Sequence, residues 1–300
     1  MMSKVPAIVS IQSMVAQGFV GNGAVVAGML HCAVQPLPIP TVYYGAHGAI
    51  RPRRGGEVPA TLFYQLLKAL ENREIDFLLS GFLGSPRQGE ILAKWLEHRK
   101  DLPYLLDPVL GDDPQGLYVS PEVVEVVREK LLPRADYITP NPFELMVLAE
   151  NETAPLPEEA APRDCATLFQ GAQKLLAQGP SWVIVTSWRK DRNEQTLYNL
   201  LLHREGAWEV AVKAVPKKAF GTGDLFAAIL ASALSRSFSV RQAGAAAALA
   251  VAQSLQIAAL QNADTVIPVG LRTDLFDETN YEQYGISVTP LGKEAYSTDG

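Results

Sequence analysis

"KKAFGTGDLFAAILASAL" runs from Lys217 to Leu234, with two glycines around a threonine, then an aspartate, then an unbroken apolar run. The apolar run reads as a buried helix, and the glycines fall at its start. Glycine lets the backbone approach a ligand closely. A helix N-terminus adds unpaired N–H groups and the positive end of the helix dipole, which together make an anion site. Gly221, Thr222 and Gly223 are the candidate anion turn. Asp224 has two readings. It is either a helix-capping carboxylate, or a general base beside a place where negative charge develops on a transferring phosphoryl group.

Outward from this stretch, short apolar runs alternate with helical patterns. "AIVSIQ", "VQPLPIPTVYY", "IDFLLSGFLG", "PYLLDPVLG", "ADYITPN" and "SWVIVTSW" read as strands. Between them, "NGAVVAGMLHCA", "VPATLFYQLLKALEN", "RQGEILAKWLEHRKD", "SPEVVEVVREKLL" and "PFELMVLAE" read as helices. "QTLYNLLLHREGAWEVAV" reads as a hairpin, and helices close the domain from Gly223 onwards. This alternation predicts an α/β fold with a mainly parallel sheet and helices on both faces. Ligands of such sheets bind outside the carboxyl ends of the strands. Residues 1–270 read as one domain, with 151–164 as an acidic surface loop and 271–300 as a polar tail, partly disordered.

Composition narrows the function. The 300 residues are 48% apolar and carry a net charge of −6, so an anionic ligand must be held by local features. An acidic chain is poorly suited to non-specific nucleic-acid binding. The two cysteines imply no disulfide framework, and the four histidines show no zinc spacing. The start, "MMSKVPAIVSIQSMV", lacks the long apolar stretch of a secretory signal, and Ala243–Gln261 reads as a buried Ala-rich helix rather than a membrane span. The expectation is a cytoplasmic protein with no membrane partner.

Other strand ends carry chemistry. "LLDPVLGDD" puts Asp107 at a strand end and Asp112 in the loop after it. "YITPNPFEL" places Thr139 and Asn141 at another, with Glu144 in the first turn of the next helix. Each reads singly as a cap or turn former. Converging at one sheet edge, they would hold Mg²⁺ through oxygen ligands and water. "VIVTSW" ends with Thr186 and Ser187, whose hydroxyls suit phosphate oxygens or a solvated strand end. No GxxxxGK[ST] loop is present, and "GNGAVVAG" has Val26 where a dinucleotide fingerprint needs its third glycine.

Taken in order from about Ser10 to Ala250, "SIQSMVAQGFVGN", "LSGFLGS", "DPVLGD", "YITPNPFEL", "VIVTS" and "GTGDLFAA" resemble the pyridoxal kinases of the ribokinase-like superfamily. The resemblance implies a single-domain, three-layer αβα sandwich. It implies an ATP-dependent kinase acting on the 5′-hydroxymethyl group of the vitamin B6 vitamers, with Mg²⁺, often a monovalent cation such as K⁺, and usually a homodimer. By motif match, Asp224 is the base and Gly221, Thr222 and Gly223 are the anion hole. Ser13 contacts the pyridine ring substituents; Asp107, Thr139, Asn141, Glu144 and Thr186 line the ATP phosphates and metal. Glu144 and Tyr118 are associated with Mg²⁺, and the segment around Val210 to Val212 lies against the nucleotide base.

The likeness is interrupted at "YYGAHGAIRPRRGG", Tyr43 to Gly56, where the family usually places a Ser-Asn-His-Thr type segment. His47 stands in for one of those ring contacts, and Phe82 replaces a usual tyrosine. Arg51, Arg53, Arg54 and Arg73 read as solvated surface rather than a flap over phosphates. The alternatives are a kinase of another hydroxymethyl substrate, such as hydroxymethylpyrimidine, and a non-catalytic B6-binding homologue.

Overall fold

Runs such as Phe77–Ser80 and Tyr104–Leu106 are buried on both faces, as the inner strands of a parallel sheet must be. The computed structural model of the protein describes residues 4–292 apart from 49, 51, 53, 158, 159, 161, 192, 193 and 272–274. Its strands are β1 (Ala7–Val15), β2 (Gln35–Tyr44), β3 (Gly55–Glu57), β4 (Phe77–Ser80), β5 (Tyr104–Leu106), β6 (Gly111–Asp112) and β7 (Gly116–Leu117). They continue with β8 (Tyr137–Ile138), β9 (Trp182–Trp188), β10 (Thr196–His203), β11 (Gly206–Lys213) and β12 (Ser287–Leu291). Ten of these form one sheet in the order β12-β11-β10-β9-β8-β5-β4-β1-β2-β3, and β6 and β7 make a separate two-stranded hairpin. The run from β2 through β1, β4, β5 and β8 to β9 is parallel, and the strands beyond it at either end are antiparallel.

The helices are α1 (Asn22–His31), α2 (Ala60–Lys68), α3 (Pro86–Glu97), α4 (Pro121–Val126), α5 (Pro142–Glu150), α6 (Cys165–Leu176), α7 (Thr222–Ser235) and α8 (Val240–Leu260). Two apolar cores divide them. One takes side chains from α2 to α6, the other from α1, α7 and α8. The sheet lies between them, which is the three-layer arrangement.

α8 is long and apolar enough to cross a membrane, yet most of it is buried inside the protein. Its alanines from Ala243 to Ala250 let it pack closely on α7. Gly28 does the same for α1. A Cβ there would press on Leu225 at 3.0 Å and on Ala228 at 3.3 Å, both in α7. That close packing brings the start of α1 beside the start of α7.

The chain after Leu271 departs from its reading as a polar tail. Leu271, Leu275, Tyr281 and Ile286 are buried in the core shared with α7 and α8, and β12 pairs antiparallel with β11. Spaced singly among polar residues, these apolar positions give no periodic signal. "PYLLDPVLG" is strand only as far as Leu106. "SPEVVEVVREKLL" is α-helical only to Val126 and then widens into a π turn, Val127–Leu131. In the arginine-rich segment, Arg51 and Arg53 lie outside the described residues, Arg54 is exposed, and Arg73 donates to Gln35 Oε1.

Candidate active site

Asp224 lies in the first turn of α7, and its Oδ2 accepts a hydrogen bond from the Gly21 amide at 2.8 Å. Burial raises its carboxyl above the ordinary range, and the Gly21 bond opposes this only in part. Gly221 caps the helix in the left-handed region, φ 87°, where a Cβ would collide with the Phe19 carbonyl. Gly223 is different: no protein atom lies within 4 Å of where its Cβ would stand. The turn therefore presents bare backbone to open space.

Gly21 itself has φ 53°, and a Cβ there would fall onto Ser13. Ser13, Gly21 and Asp224 are thus one cluster made by the ends of β1 and the starts of two helices. A buried network supports it. Ser10 Oγ donates to Asn22 Oδ1 at 2.7 Å, and Asn22 Nδ2 donates to the carbonyls of Gln12 and Ile39. In the stretch "SIQSMVAQGFVGN", Ser10 and Asn22 pin α1 to the sheet.

The second group is acidic. Asp107 follows β5 and accepts from Thr139 Oγ1 at 3.1 Å. Its other oxygen, Oδ2, is buried with no partner among the described residues. Burial, then the charges of Glu144 and Asp224, push this carboxyl well up. All three carboxylates therefore share one field. Glu144 is buried too, and burial raises it to about 8 despite bonds from the amides of Asn141, Leu110 and Gly111. Asp112 rises to about 6, again through burial first. Tyr118 is half exposed, and its phenol is pushed up by burial and by Asp112 and Glu144. Asn141 and Glu144 also form a reciprocal capping box at the start of α5, and Asn141 Nδ2 donates to the Gly111 carbonyl at 2.8 Å. Among the described residues, no group of three or more His, Cys, Asp or Glu side chains stands ready to hold a metal by itself.

An open cleft adjoins Gly223. It is lined by the polar Thr186, Ser187, Asn199 and Thr222 and by the apolar Val212, Val215, Phe226 and Leu255. Thr186 and Val212 are therefore brought together with the glycine turn. His47 is buried, does not line that cleft, and stacks on Phe220, the residue before Gly221, at 4.1 Å between ring centroids.

Four features escaped sequence reasoning. The Gly21 amide that holds Asp224 lay inside a quoted motif, but no local pattern reveals a bond across 203 residues. Asn199 sits in a strand with no motif. Asp264, which bonds His47, follows the last helix in a polar stretch. Val109, in "DPVLGD", has φ 41°, a strained conformation for a β-branched side chain.

The chain is similar in sequence and in fold to known proteins. A family profile described as phosphomethylpyrimidine kinase matches residues 56–270. The chain is 34% identical to pyridoxal kinase PdxY of Leifsonia xyli over 74% of its own length and 78% of that protein. It is 32% identical to a pyridoxine/pyridoxal/pyridoxamine kinase of Bordetella avium, covering 87% of this chain and 88% of the relative. In fold it matches pyridoxal kinase from Leishmania donovani in complex with ADP and pyridoxamine, with a TM-score of 0.79, 24% identity, and coverage of 95% and 99% of the two chains. It also matches a phosphomethylpyrimidine kinase-like protein of Bacteroides thetaiotaomicron, with a TM-score of 0.83, 22% identity and coverage of 96% and 99%. On the strength of the profile and of relatives above 30% identity along most of its length, the chain belongs to the pyridoxal kinase family of phosphotransferases.

Proposed function

We propose that the protein transfers the γ-phosphoryl group of ATP to the 5′-hydroxymethyl oxygen of a B6 vitamer, giving pyridoxal 5′-phosphate or its analogues. The observation that carries this is Asp224: a carboxylate raised by burial, aimed by the Gly21 amide, and set beside an open glycine turn. A raised carboxyl is a better match to the proton it must take. Asp224 removes the hydroxyl proton as the oxygen attacks phosphorus. The amides of the Gly221–Gly223 turn, at the positive end of α7, take up the charge developing on the transferred group.

Ser13 and His47 stand on the acceptor side of the turn and orient the ring. Thr186 and Asn199 offer polar groups to the nucleotide, and Val212, Val215 and Leu255 offer an apolar wall to its base. Phosphoryl transfer needs such positioning and charge neutralisation more than covalent help from the protein.

The acidic group fits Mg²⁺. Its donors are hard oxygens, Asp107 Oδ2 is buried without a partner among the described residues, and three raised carboxyls sit where a cation would stabilise their charged forms. Asp107 would hold the ion directly. Glu144, whose oxygens already accept three amides, and Tyr118 would act through water. When bound, the ion neutralises charge on the phosphate oxygens.

A second reading, phosphorylation of hydroxymethylpyrimidine, is favoured by the description of the matching family profile. ADP release from purified protein with ATP and Mg²⁺ separates the two. Pyridoxal, pyridoxine or pyridoxamine should each outrun hydroxymethylpyrimidine. Turnover with the pyrimidine alone would overturn the B6 assignment.

A further inference from the structure

Along a regular strand, successive side chains point to opposite faces of the sheet. β9 keeps that rule as far as Val185. Ile184 lies in the core shared with α7 and α8, and Val185 lies in the core on the other face. Thr186 and Ser187, although neighbours, then both line the cleft beside Gly223. Trp188 returns to the same core as Val185. The pairing with β10 shows how this is done. Val185 stands opposite Leu200 and Trp188 opposite Tyr198, so Thr186 and Ser187 together face Asn199 alone. This is a β-bulge, a device that re-aims side chains and is common next to active sites.

The extra residue is held in an unusual backbone conformation. Ser187 has φ 58°, in the left-handed region that side chains other than glycine rarely enter. Its amide donates to a side chain, Asn199 Oδ1, at 3.3 Å. Asn199 is 5% exposed and lines the same cleft. Both flanks of the bulge are anchored separately. On one side, the Thr186 amide donates to the Pro140 carbonyl at 2.9 Å. On the other, Trp188 Nε1 donates to the Arg163 carbonyl at 2.8 Å, and its ring packs on Tyr198 at 5.7 Å between centroids. The Asn199 bond is the contact that belongs to Ser187 itself.

We propose that Asn199 is a positioning residue of the cleft: by accepting the Ser187 amide it locks the β9 bulge, and so sets the Ser187 hydroxyl beside that of Thr186 to donate to phosphate oxygens of a nucleoside triphosphate. This rests on the reading of the cleft as the nucleotide site, and it deepens that reading by naming what directs its hydroxyls. Asn199 stands in a strand and Ser187 at a strand end, so neither role is visible without the pairing register.

Kinetics with ATP, Mg²⁺ and pyridoxal give the first readout. Ser187→Ala keeps the Cβ and removes only the hydroxyl. It should raise the KM for ATP roughly tenfold, the worth of one hydrogen bond. Asn199→Ala should raise it by a similar factor although the Ser187 hydroxyl is still present. The KM for pyridoxal should stay within about twofold in both. The double variant should be no worse than either single one, because the two changes remove the same contact. An unchanged KM for ATP in Asn199→Ala sinks the proposal. Fully additive losses also overturn it, since Asn199 would then act on the nucleotide by itself. Should Asn199→Ala melt before assay, Asn199→Leu fills the space without supplying an acceptor and gives the same comparison.

Hydrogen exchange of the Ser187 amide in the free protein gives the second readout. The amide should be protected in the wild type, unprotected in Asn199→Ala, and protected again in Asn199→Asp, which keeps the accepting oxygen. An amide that exchanges equally fast in all three overturns the lock. Failure of ATP to bind the wild-type protein in calorimetry would instead sink the nucleotide reading of the cleft, and the exchange measurement would still decide whether Asn199 holds the bulge.

Discussion

At Asp224 a single oxygen separates a cap from a base. A plain N-cap carboxylate bonds the amides of its own helix, but Asp224 Oδ2 takes the Gly21 amide from another helix start. Asp224→Asn keeps the shape and removes the basicity. It should lower kcat by about 10²–10⁴-fold, the usual worth of a positioned general base. A loss below about tenfold in steady-state assays would remove that role. The two glycines of the turn should separate cleanly. Gly221→Ala meets both a left-handed φ of 87° and the Phe19 carbonyl, so it should lower the Tm in calorimetry along with activity. Gly223→Ala meets no protein atom within 4 Å, so its Tm should be unchanged while the KM for ATP rises. Most of this was legible. Gly, Thr, Gly and Asp before an apolar run mark a helix start with an open glycine turn beside a carboxylate, and the structure forms it. Asp264 and Gly21 did not, because the bonds that give them meaning join residues 217 and 203 positions apart.

The start of α5 shows how one helix end serves two purposes. Asn141, Pro142 and Glu144 have the spacing of a capping box, and the structure forms it in full. The same Glu144 lies in the acidic group and is raised to about 8 by burial. A carboxyl raised on folding binds its proton more tightly in the folded state than in the unfolded one. Its contribution is complete below the unfolded value, about 4.3 for a glutamate, and is lost as pH climbs through the folded value. Without divalent cation, the Tm should therefore fall between pH 5 and pH 8, by up to about 1.4 kcal/mol of stability per pH unit for each such group. Glu144→Gln should flatten that slope in thermal melts, and an unchanged slope would contradict the assignment. Element boundaries were less legible than element types. β5 stops at Leu106, one residue before Asp107 leaves the sheet, since the strand pattern cannot mark where pairing ends. α4 opens into a π turn that no spacing announces.

Across the whole molecule, the two sheet edges are guarded by different means. At one end β3 covers only Val42 to Tyr44 of β2, and along the uncovered part Pro36, Pro38 and Pro40 alternate, facing Ile8, Ser10 and Gln12 of β1 in register. A proline has no N–H, so every second residue lacks the donor that an added strand would need. The opposite edge is closed by β12 on β11. That closure was not legible, because β12 is short, exposed and polar, and is placed by pairing rather than by an apolar face. Deleting residues 286–300 should expose β11, lower the Tm and promote aggregation in light scattering; a monodisperse, equally stable product would show the edge needs no cover. The link between Gly21 and Asp224 has a further meaning for the life of the chain. On the proposed reading, Ser13 and His47 emerge early in synthesis, and Asp224, the proposed base, emerges 203 residues after the amide that aims it. If Asp224 is the base, a chain that ends before α7 binds without transferring, so phosphoryl transfer waits until synthesis is nearly complete.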